Sequence, residues 1–156
     1  MNELRELYQQ VILDHYKNPR NFRQVETANR RAEGYNPLCG DHYTLYVELE
    51  GDLVKDIGFQ GSGCAISKAS ASVMSSMLKG KTKADFETMF KTFHEMVKGE
   101  PASAGSEVEE TSRLAAFAGV SEHPSRIKCA TLAWHTLNSV FNGEAEVVST
   151  EEAVST

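Results

Sequence analysis

A thiol and a carboxylate stand two residues apart in the stretch from Asn36 to Asp41, which reads Asn-Pro-Leu-Cys-Gly-Asp. Pro37 restricts its own φ and biases the residue before it toward extended backbone, and Gly40 permits a sharp turn. Because side chains two residues apart in an extended chain share a face, Cys39 and Asp41 can point the same way. Both side-chain types are zinc ligands, so the stretch predicts part of a metal site on a loop.

The other two cysteines also stand near the starts of predicted elements. Cys64 follows Gly61-Ser62-Gly63 and opens a predicted helix, and Cys129 follows Arg126-Ile127-Lys128 in the first turns of another. A helix N-terminus lowers the pKa of a thiol through its free N–H groups and its dipole. The alternative for Cys64 is an inert, buried thiol at a tight turn. The cysteine spacing matches no zinc-finger pattern, so the fold would have to assemble a site of three thiols and one carboxylate.

The size and charge of the chain are typical of a soluble globular protein. Its 156 residues, with 40% hydrophobic and 24% charged side chains, suit a single soluble domain. A net charge of −6 argues against a nucleic-acid partner and against a polybasic membrane-binding patch. We find neither a signal peptide nor an apolar run of about 18 residues. The odd number of cysteines favours free or metal-bound thiols in a reducing compartment, so we expect a cytoplasmic protein without a membrane partner.

Hydrophobic periodicity predicts an α+β fold, in which a small antiparallel sheet is covered by about five helices. The predicted helices span residues 3–17, 65–79, 82–98, 106–118 and 124–141. Alternating apolar residues over 43–49 and 53–60 predict a β-hairpin, and residues 20–34 are expected to form a surface loop leading into an edge strand. Residues 1–143 would form one domain. Residues 144–156, with four glutamates, are expected to form a flexible acidic tail.

The predicted hairpin also positions the cysteines. It makes Asp41 and Gly61 neighbours, which brings Cys39 close to Cys64. We therefore expect the three thiols to gather at one end of the sheet, where the hairpin, the second helix and the last helix meet.

Taken in order, the three cysteine motifs resemble those of the IscU/NifU-like iron–sulfur cluster assembly proteins. They read Asn-Pro-Leu-Cys-Gly-Asp at 36–41, Gly-Ser-Gly-Cys-Ala-Ile-Ser at 61–67 and Lys-Cys-Ala at 128–130. The first helix, with Leu7-Tyr8 and the run from Asp14 to Asn21, is also similar to the opening helix of that family. The resemblance covers residues 4–142 and implies an IscU-like fold.

Two features differ from the scaffold branch that IscU typifies. Lys128 stands where that branch has a histidine before the third cysteine, and residues 122–128 lack its Leu-Pro-Pro-Val-Lys chaperone-recognition sequence. Residues 99–122 are additional to that branch. These features resemble the zinc-binding SufU branch, which implies sulfur transfer from a SufS-type cysteine desulfurase. Matched position by position, the implied zinc ligands are Cys39, Asp41, Cys64 and Cys129.

The resemblance leaves the role of individual residues to be argued from the sequence. We expect Cys39 to accept sulfur, because a loop thiol can swing away from a metal while Cys64 and Cys129 are anchored on helices. Cys129 is the alternative acceptor. Arg126 and Lys128 are expected to favour the Cys129 thiolate through their positive charge, unless they only form a solvated first helical turn.

Two functions follow from this site. The first is a sulfurtransferase-type acceptor, working with a desulfurase rather than as a stand-alone enzyme, which delivers sulfur to a downstream iron–sulfur scaffold or apo-protein. The second is a scaffold on which a [2Fe–2S] cluster is assembled and passed on, with iron bound by the same thiolates. Lys128 in place of histidine favours the first. A module with a purely structural zinc is disfavoured by Asp41 and by the loop setting of the motif.

Overall fold

The computed structural model describes residues 2–99, 114–143 and 147–149. The helices in these ranges are α1 Asn2–Lys17, α2 Ala65–Leu78, α3 Lys83–Val97, the 3₁₀ helix Ala118–Glu122 and α4 Pro124–Asn142. The strands are β1 Arg30–Asn36, β2 Asp41–Glu50, β3 Leu53–Ser62 and β4 Val147–Ser149. This arrangement confirms the predicted α+β fold. None of the helices in the described part of the chain combines the length and apolar character needed to cross a membrane.

The sheet has the strand order β3-β2-β1-β4. β2 pairs antiparallel with both β3 and β1, and β4 runs parallel to β1. The β2–β3 hairpin is the one predicted from alternation. β1 begins at Arg30, so the prediction of a surface loop over residues 20–34 was wrong for its last five residues. β1 also lies between β2 and β4, so the prediction that this loop leads into an edge strand was wrong. Its inward positions are Ala32, Gly34 and Asn36, which carry too little apolar bulk to give a strand signal in the sequence.

Helices α2 and α4 pack against one face of the sheet, and α1 packs on α2. The core between them holds Tyr43, Leu45 and Val47 of β2, each at most 2% exposed. Trp134 of α4 is fully buried and stacks on Phe93 of α3, with ring centroids 4.7 Å apart. These contacts fix α4, which carries the third cysteine, against both α3 and the sheet.

Local capping explains where two of the helices begin. Thr82 and Asp85 form a capping box at α3, in which each side chain accepts from the backbone N–H of the other residue. Pro124 occupies the first turn of α4, where its missing N–H leaves no helical hydrogen bond unmade.

Two predicted segments differ from the structure or lie largely outside the described residues. Most of the helix predicted for residues 106–118 lies outside the described residues. Its predicted end at residue 118 is wrong, because the described helical residues end at 115 and Ala118 already belongs to the 3₁₀ helix. Within the predicted tail, Val147–Ser149 form β4 beside β1 instead of continuing as a flexible segment. The other residues of 144–156 lie outside the described part.

Candidate metal centre

The first cysteine lies in the turn that joins β1 to β2. Asn36 and Asp41 form the last register pair of these strands, so residues 37–40 make a four-residue hairpin loop. Gly40 has a φ of 73°, a conformation that favours glycine. Cys39 is partly exposed at this turn, and the neighbouring Leu38 is 67% exposed. The loop therefore presents the Cys39 thiol at the protein surface, while Asn36 and Asp41, which flank the loop, are buried.

Three of the four predicted ligands converge at this turn. Ligand atoms of Cys39, Asp41 and Cys129 all lie within 4.8 Å of one another. The Cys39 and Cys129 sulfurs are 3.2 Å apart. Two thiolates on one tetrahedral zinc ion lie about 3.7 Å apart, since Zn–S bonds are about 2.3 Å long. A shift of about half an ångström would therefore give these sulfurs the spacing of a zinc pair.

Asp41 is fully buried, and both of its carboxylate oxygens have hydrogen-bond donors. Oδ1 accepts the backbone N–H of Cys64 at 2.8 Å and the hydroxyl of Ser67 at 3.0 Å. Oδ2 accepts the side-chain N–H of Asn36 at 3.1 Å. Gly63 makes the first contact possible, because a Cβ there would lie 2.5 Å from Oδ1. The start of α2 is thereby tied directly to the aspartate.

Cys64 is the N-cap of α2, and its sulfur accepts the backbone N–H of Ser67 at 3.4 Å. A hydrogen bond with the Cys129 thiol is the main cause that lowers the pKa of Cys64 to about 6, and the Ser67 N–H adds to it against the effect of burial. The low pKa agrees with its predicted position at a helix start. Its sulfur lies outside the 4.8 Å group of ligand atoms formed by the other three residues.

The pKa of Cys129 is shifted in the opposite direction. The hydrogen bond with Cys64 raises it most, and burial and the hydrogen bond with Cys39 raise it further. Arg126 is exposed on the preceding turn, and the nearby Cys129 sulfur raises the pKa of its guanidinium group. The expected effect of Arg126 and Lys128, which is to favour the Cys129 thiolate through their positive charge, stays a prediction. Lys128 is partly buried immediately before Cys129.

The donor set matches the chemistry of zinc. Thiolates and a carboxylate are its common protein ligands, and a metal ion would replace the protons that Cys129 now shares with its neighbours. The carboxylate is already held in place by donors from β1 and α2. The residues present therefore fit a zinc ion, and the same thiolates fit iron.

An open groove of about 860 Å³ reaches the site at Cys64. Its walls come from α1, the start of α2, the 3₁₀ helix and the start of α4, and include Tyr8, Ile12, Val120 and Arg126. The Cys64 side of the site is therefore open to solvent, as the Cys39 turn is.

Three side chains that support the predicted ligands were not expected from the sequence: Asn36, Tyr43 and Ser67. Asn36 was interpreted only as a turn residue, although an inward position two residues beyond Gly34 in a strand would have placed its side chain on the buried face. The Tyr43 hydroxyl lies 3.0 Å from Ser67 Oγ, and burial is the main cause that raises the Tyr43 pKa. Ser67 lies three residues after Cys64, the usual spacing for a residue that meets an N-cap.

Comparison with known proteins identifies relatives along most of the chain. The model of the NifU-like N terminal domain matches residues 7–130. The zinc-dependent sulfurtransferase SufU of Bacillus subtilis is 44% identical over 131 residues, which are 84% of this chain and 86% of that protein. The iron–sulfur cluster assembly scaffold protein IscU of Streptococcus pyogenes is 38% identical over 93% of this chain and 89% of its own.

Solved structures agree with this result. The crystal structure of a candidate iron–sulfur cluster assembly scaffold protein for the SUF system from Fervidobacterium islandicum is 35% identical. It superposes with a TM-score of 0.76 over 85% of this chain and 94% of that one.

Proposed function

The chain belongs to the family of NifU-like N-terminal domains, and on that premise we propose that it serves iron–sulfur cluster assembly by accepting persulfide sulfur from a cysteine desulfurase. The similarity to a zinc-dependent sulfurtransferase over most of both chains supports this reading. The donor would be a desulfurase of the SufS type, and the sulfur would pass to a downstream scaffold or apo-protein.

The convergence of Cys39, Asp41 and Cys129 ligand atoms within 4.8 Å carries the proposal. Zinc would be held by these three residues and Cys64, and the bound ion would keep the thiols deprotonated near pH 7. Cys64 is already linked to these three residues, because its backbone N–H donates a hydrogen bond to Asp41. Rotation of its single side-chain torsion changes the position of its sulfur without moving α2.

Cys39 is the proposed acceptor. Its thiolate attacks the outer sulfur of the donor's persulfide, a new S–S bond forms on Cys39, and the donor cysteine leaves as a thiolate. The step conserves electrons, so it needs no external oxidant or reductant. Cys39 lies on an exposed four-residue turn, whereas Cys129 is fully buried on α4, so the turn gives the donor the easier approach. The positive charge of Arg126 beside these sulfurs would stabilise the anionic persulfide.

A second function is a scaffold that builds and passes on a [2Fe–2S] cluster. The observation in its favour is the 38% identity to a scaffold protein over 93% of this chain, together with thiolates that suit iron. Metal analysis and the visible spectrum of protein purified without oxygen separate the two. Stoichiometric zinc with no visible bands supports the sulfur acceptor, and iron with sulfide in equal amounts supports the scaffold.

Persulfide mapping tests the acceptor directly. The zinc-containing protein is mixed with its desulfurase and cysteine, persulfides are trapped by alkylation, and the modified peptide is found by mass spectrometry. We expect the label on Cys39, and its loss in a Cys39→Ser variant that still contains zinc. Label that appears on Cys129 and persists in Cys39→Ser would contradict the assignment.

A further inference from the structure

Asn36 is a fully buried polar residue that the ligand set does not use. It ends β1, directly opposite Asp41 in the register of the hairpin. Cross-strand partners place their side chains on the same face of a sheet. Its amide therefore faces the metal ligands from the strand that lies next to α4.

The Asn36 amide nitrogen contacts two of the ligands at once. Nδ2 lies 3.1 Å from Asp41 Oδ2 and 3.4 Å from Cys129 Sγ. A side-chain amide has two N–H donors, so each acceptor can receive one. The two ligands come from elements far apart in the sequence, β2 and α4, and one amide group joins them.

The hydrogen bonds of Asp41 Oδ1 show why the contact between Asn36 and Oδ2 matters. Oδ1 already accepts two hydrogen bonds, from the Cys64 N–H and the Ser67 hydroxyl, which use both of its lone pairs. Among the described hydrogen bonds, Oδ2 accepts only the Asn36 N–H, so it keeps a lone pair that a metal ion could use. Asn36 thus sets the direction of the oxygen that a metal would meet.

We propose that Asn36 is a positioning residue of the metal centre, which orients Asp41 Oδ2 and holds the Cys129 sulfur toward a shared metal ion. The inference rests on the proposed metal site. Hydrogen-bond donors to ligating atoms fix their orientation, and their removal typically lowers metal affinity about 10- to 100-fold. A hydrogen bond from an N–H group to a thiolate also draws charge from the sulfur. It should therefore affect the light absorption of a metal–thiolate bond.

Cobalt(II) titration of the metal-free protein tests the proposal, since cobalt reports its thiolate ligands through charge-transfer absorption. The variants are Asn36→Asp, which keeps the shape but replaces the donor with an oxygen, and Asn36→Ala, which removes the group without adding charge. The matched control is Asn29→Asp. Asn29 donates to the Leu49 carbonyl in the same sheet and makes no contact with the site among the described hydrogen bonds.

We expect both Asn36 variants to bind cobalt about 10- to 100-fold more weakly than the wild type, in competition with a chelator, and with a shifted charge-transfer band. Asn29→Asp should keep the wild-type affinity and spectrum. Thermal unfolding of the metal-free proteins shows whether each is folded. Asn36→Ala carries the test where the buried charge of Asn36→Asp prevents folding.

Wild-type affinity and spectrum in the folded Asn36→Ala protein would overturn the proposal, even if its metal-free form were less stable, because a purely structural role predicts that result. A wild type that binds cobalt without thiolate absorption would instead overturn the metal site itself, and the role of Asn36 with it. The two failures are therefore distinguishable in one titration.

Discussion

The sulfurs of Cys39 and Cys129 lie 3.2 Å apart, although the two residues are 90 positions apart in the sequence. Both thiols are free, and the distance exceeds the 2.05 Å or so of a disulfide. The contact depends on the β1–β2 turn lying over the first turns of α4. The metal affinity of such a site should depend on its ligands and also on how the β1–β2 turn packs against α4.

Removing Cys64 or Cys129 should lower the stability that the protein gains from zinc. A ligand that binds only the folded state, at 100 times its dissociation constant, stabilises it by about 2.7 kcal/mol. We expect Cys64→Ala and Cys129→Ala to lose most of this gain in thermal unfolding with and without zinc. Ser76→Ala, which changes a partly buried hydroxyl bonded within α2, should retain it. A zinc-dependent gain equal to that of the wild type in Cys129→Ala would contradict the ligand assignment.

The reactivity of the metal-free thiols should depend on pH in different ways. The pKa of Cys64 is lowered to about 6, so its thiolate persists down to that pH and its alkylation rate should fall only below it. The pKa of Cys129 is raised, so Cys129 should remain nearly unreactive at pH 7. Peptide mapping after brief alkylation across pH 5–9 measures both.

The Cys129→Ala variant provides the control for this experiment. It removes the hydrogen bond that lowers the Cys64 pKa most, so the pH at which Cys64 reacts at half its maximal rate should rise. If that midpoint stays near 6 in the variant, the low pKa has another origin. In unfolded protein all three thiols should titrate together at about pH 8.5.

The capping box of α3 should make a stability contribution that disappears in acid. Hydrogen bonds from the Thr82 N–H and hydroxyl lower the pKa of Asp85 below its usual value. The carboxylate therefore stabilises the folded state above the unfolded pKa of about 3.9, and this contribution is lost as the pH falls through the lower folded pKa. Asp85→Ala should cost about 1 kcal/mol at pH 7.

Urea unfolding at pH 7 and at acidic pH measures this effect. The difference between wild type and Asp85→Ala should shrink as the pH falls below about 4. Glu87→Ala, at an exposed position of the same helix, should change stability little at either pH. A constant difference across the range would mean that Asp85 acts through something other than its charged form.

A side chain at Gly34 should push α4 away from β1. A Cβ there would overlap the Thr136 hydroxyl oxygen and lie 3.2 Å from Leu132 Cδ1, and overpacking of a core typically costs about 1–3 kcal/mol. We expect Gly34→Ala to destabilise the protein by this amount in urea unfolding. It should also weaken zinc binding, because Leu132 and Thr136 follow Cys129 on the same helix.

A double variant tests the steric cause. Thr136→Ala removes the oxygen that the new methyl group would overlap, so Gly34→Ala should cost less in its presence than alone. Additive effects of the two substitutions would show that the clash is relieved in another way.

The sequence predicted the elements that have strong local signals. The capping residues at Thr82 and Asp85, the alternation of β2 and the cysteines at element starts each follow from chemistry within a few residues. β1 was placed incorrectly because its inward side chains are small or polar, and the pairing that makes it a strand comes from β2. The contacts of Asn36 and Ser67 with Asp41 could not be predicted, because they depend on the register of two strands and the entry angle of α2.

The position of Cys129 on α4 also affects the order of folding. A chain emerging from the ribosome displays Cys39, Asp41 and Cys64 well before α4 exists, and loop closure over 90 residues delays the last ligand further. An early metal ion would meet an incomplete set of ligands that is not yet held by the fold. Tight metal binding should therefore occur only after α4 has been synthesised and has packed against the sheet.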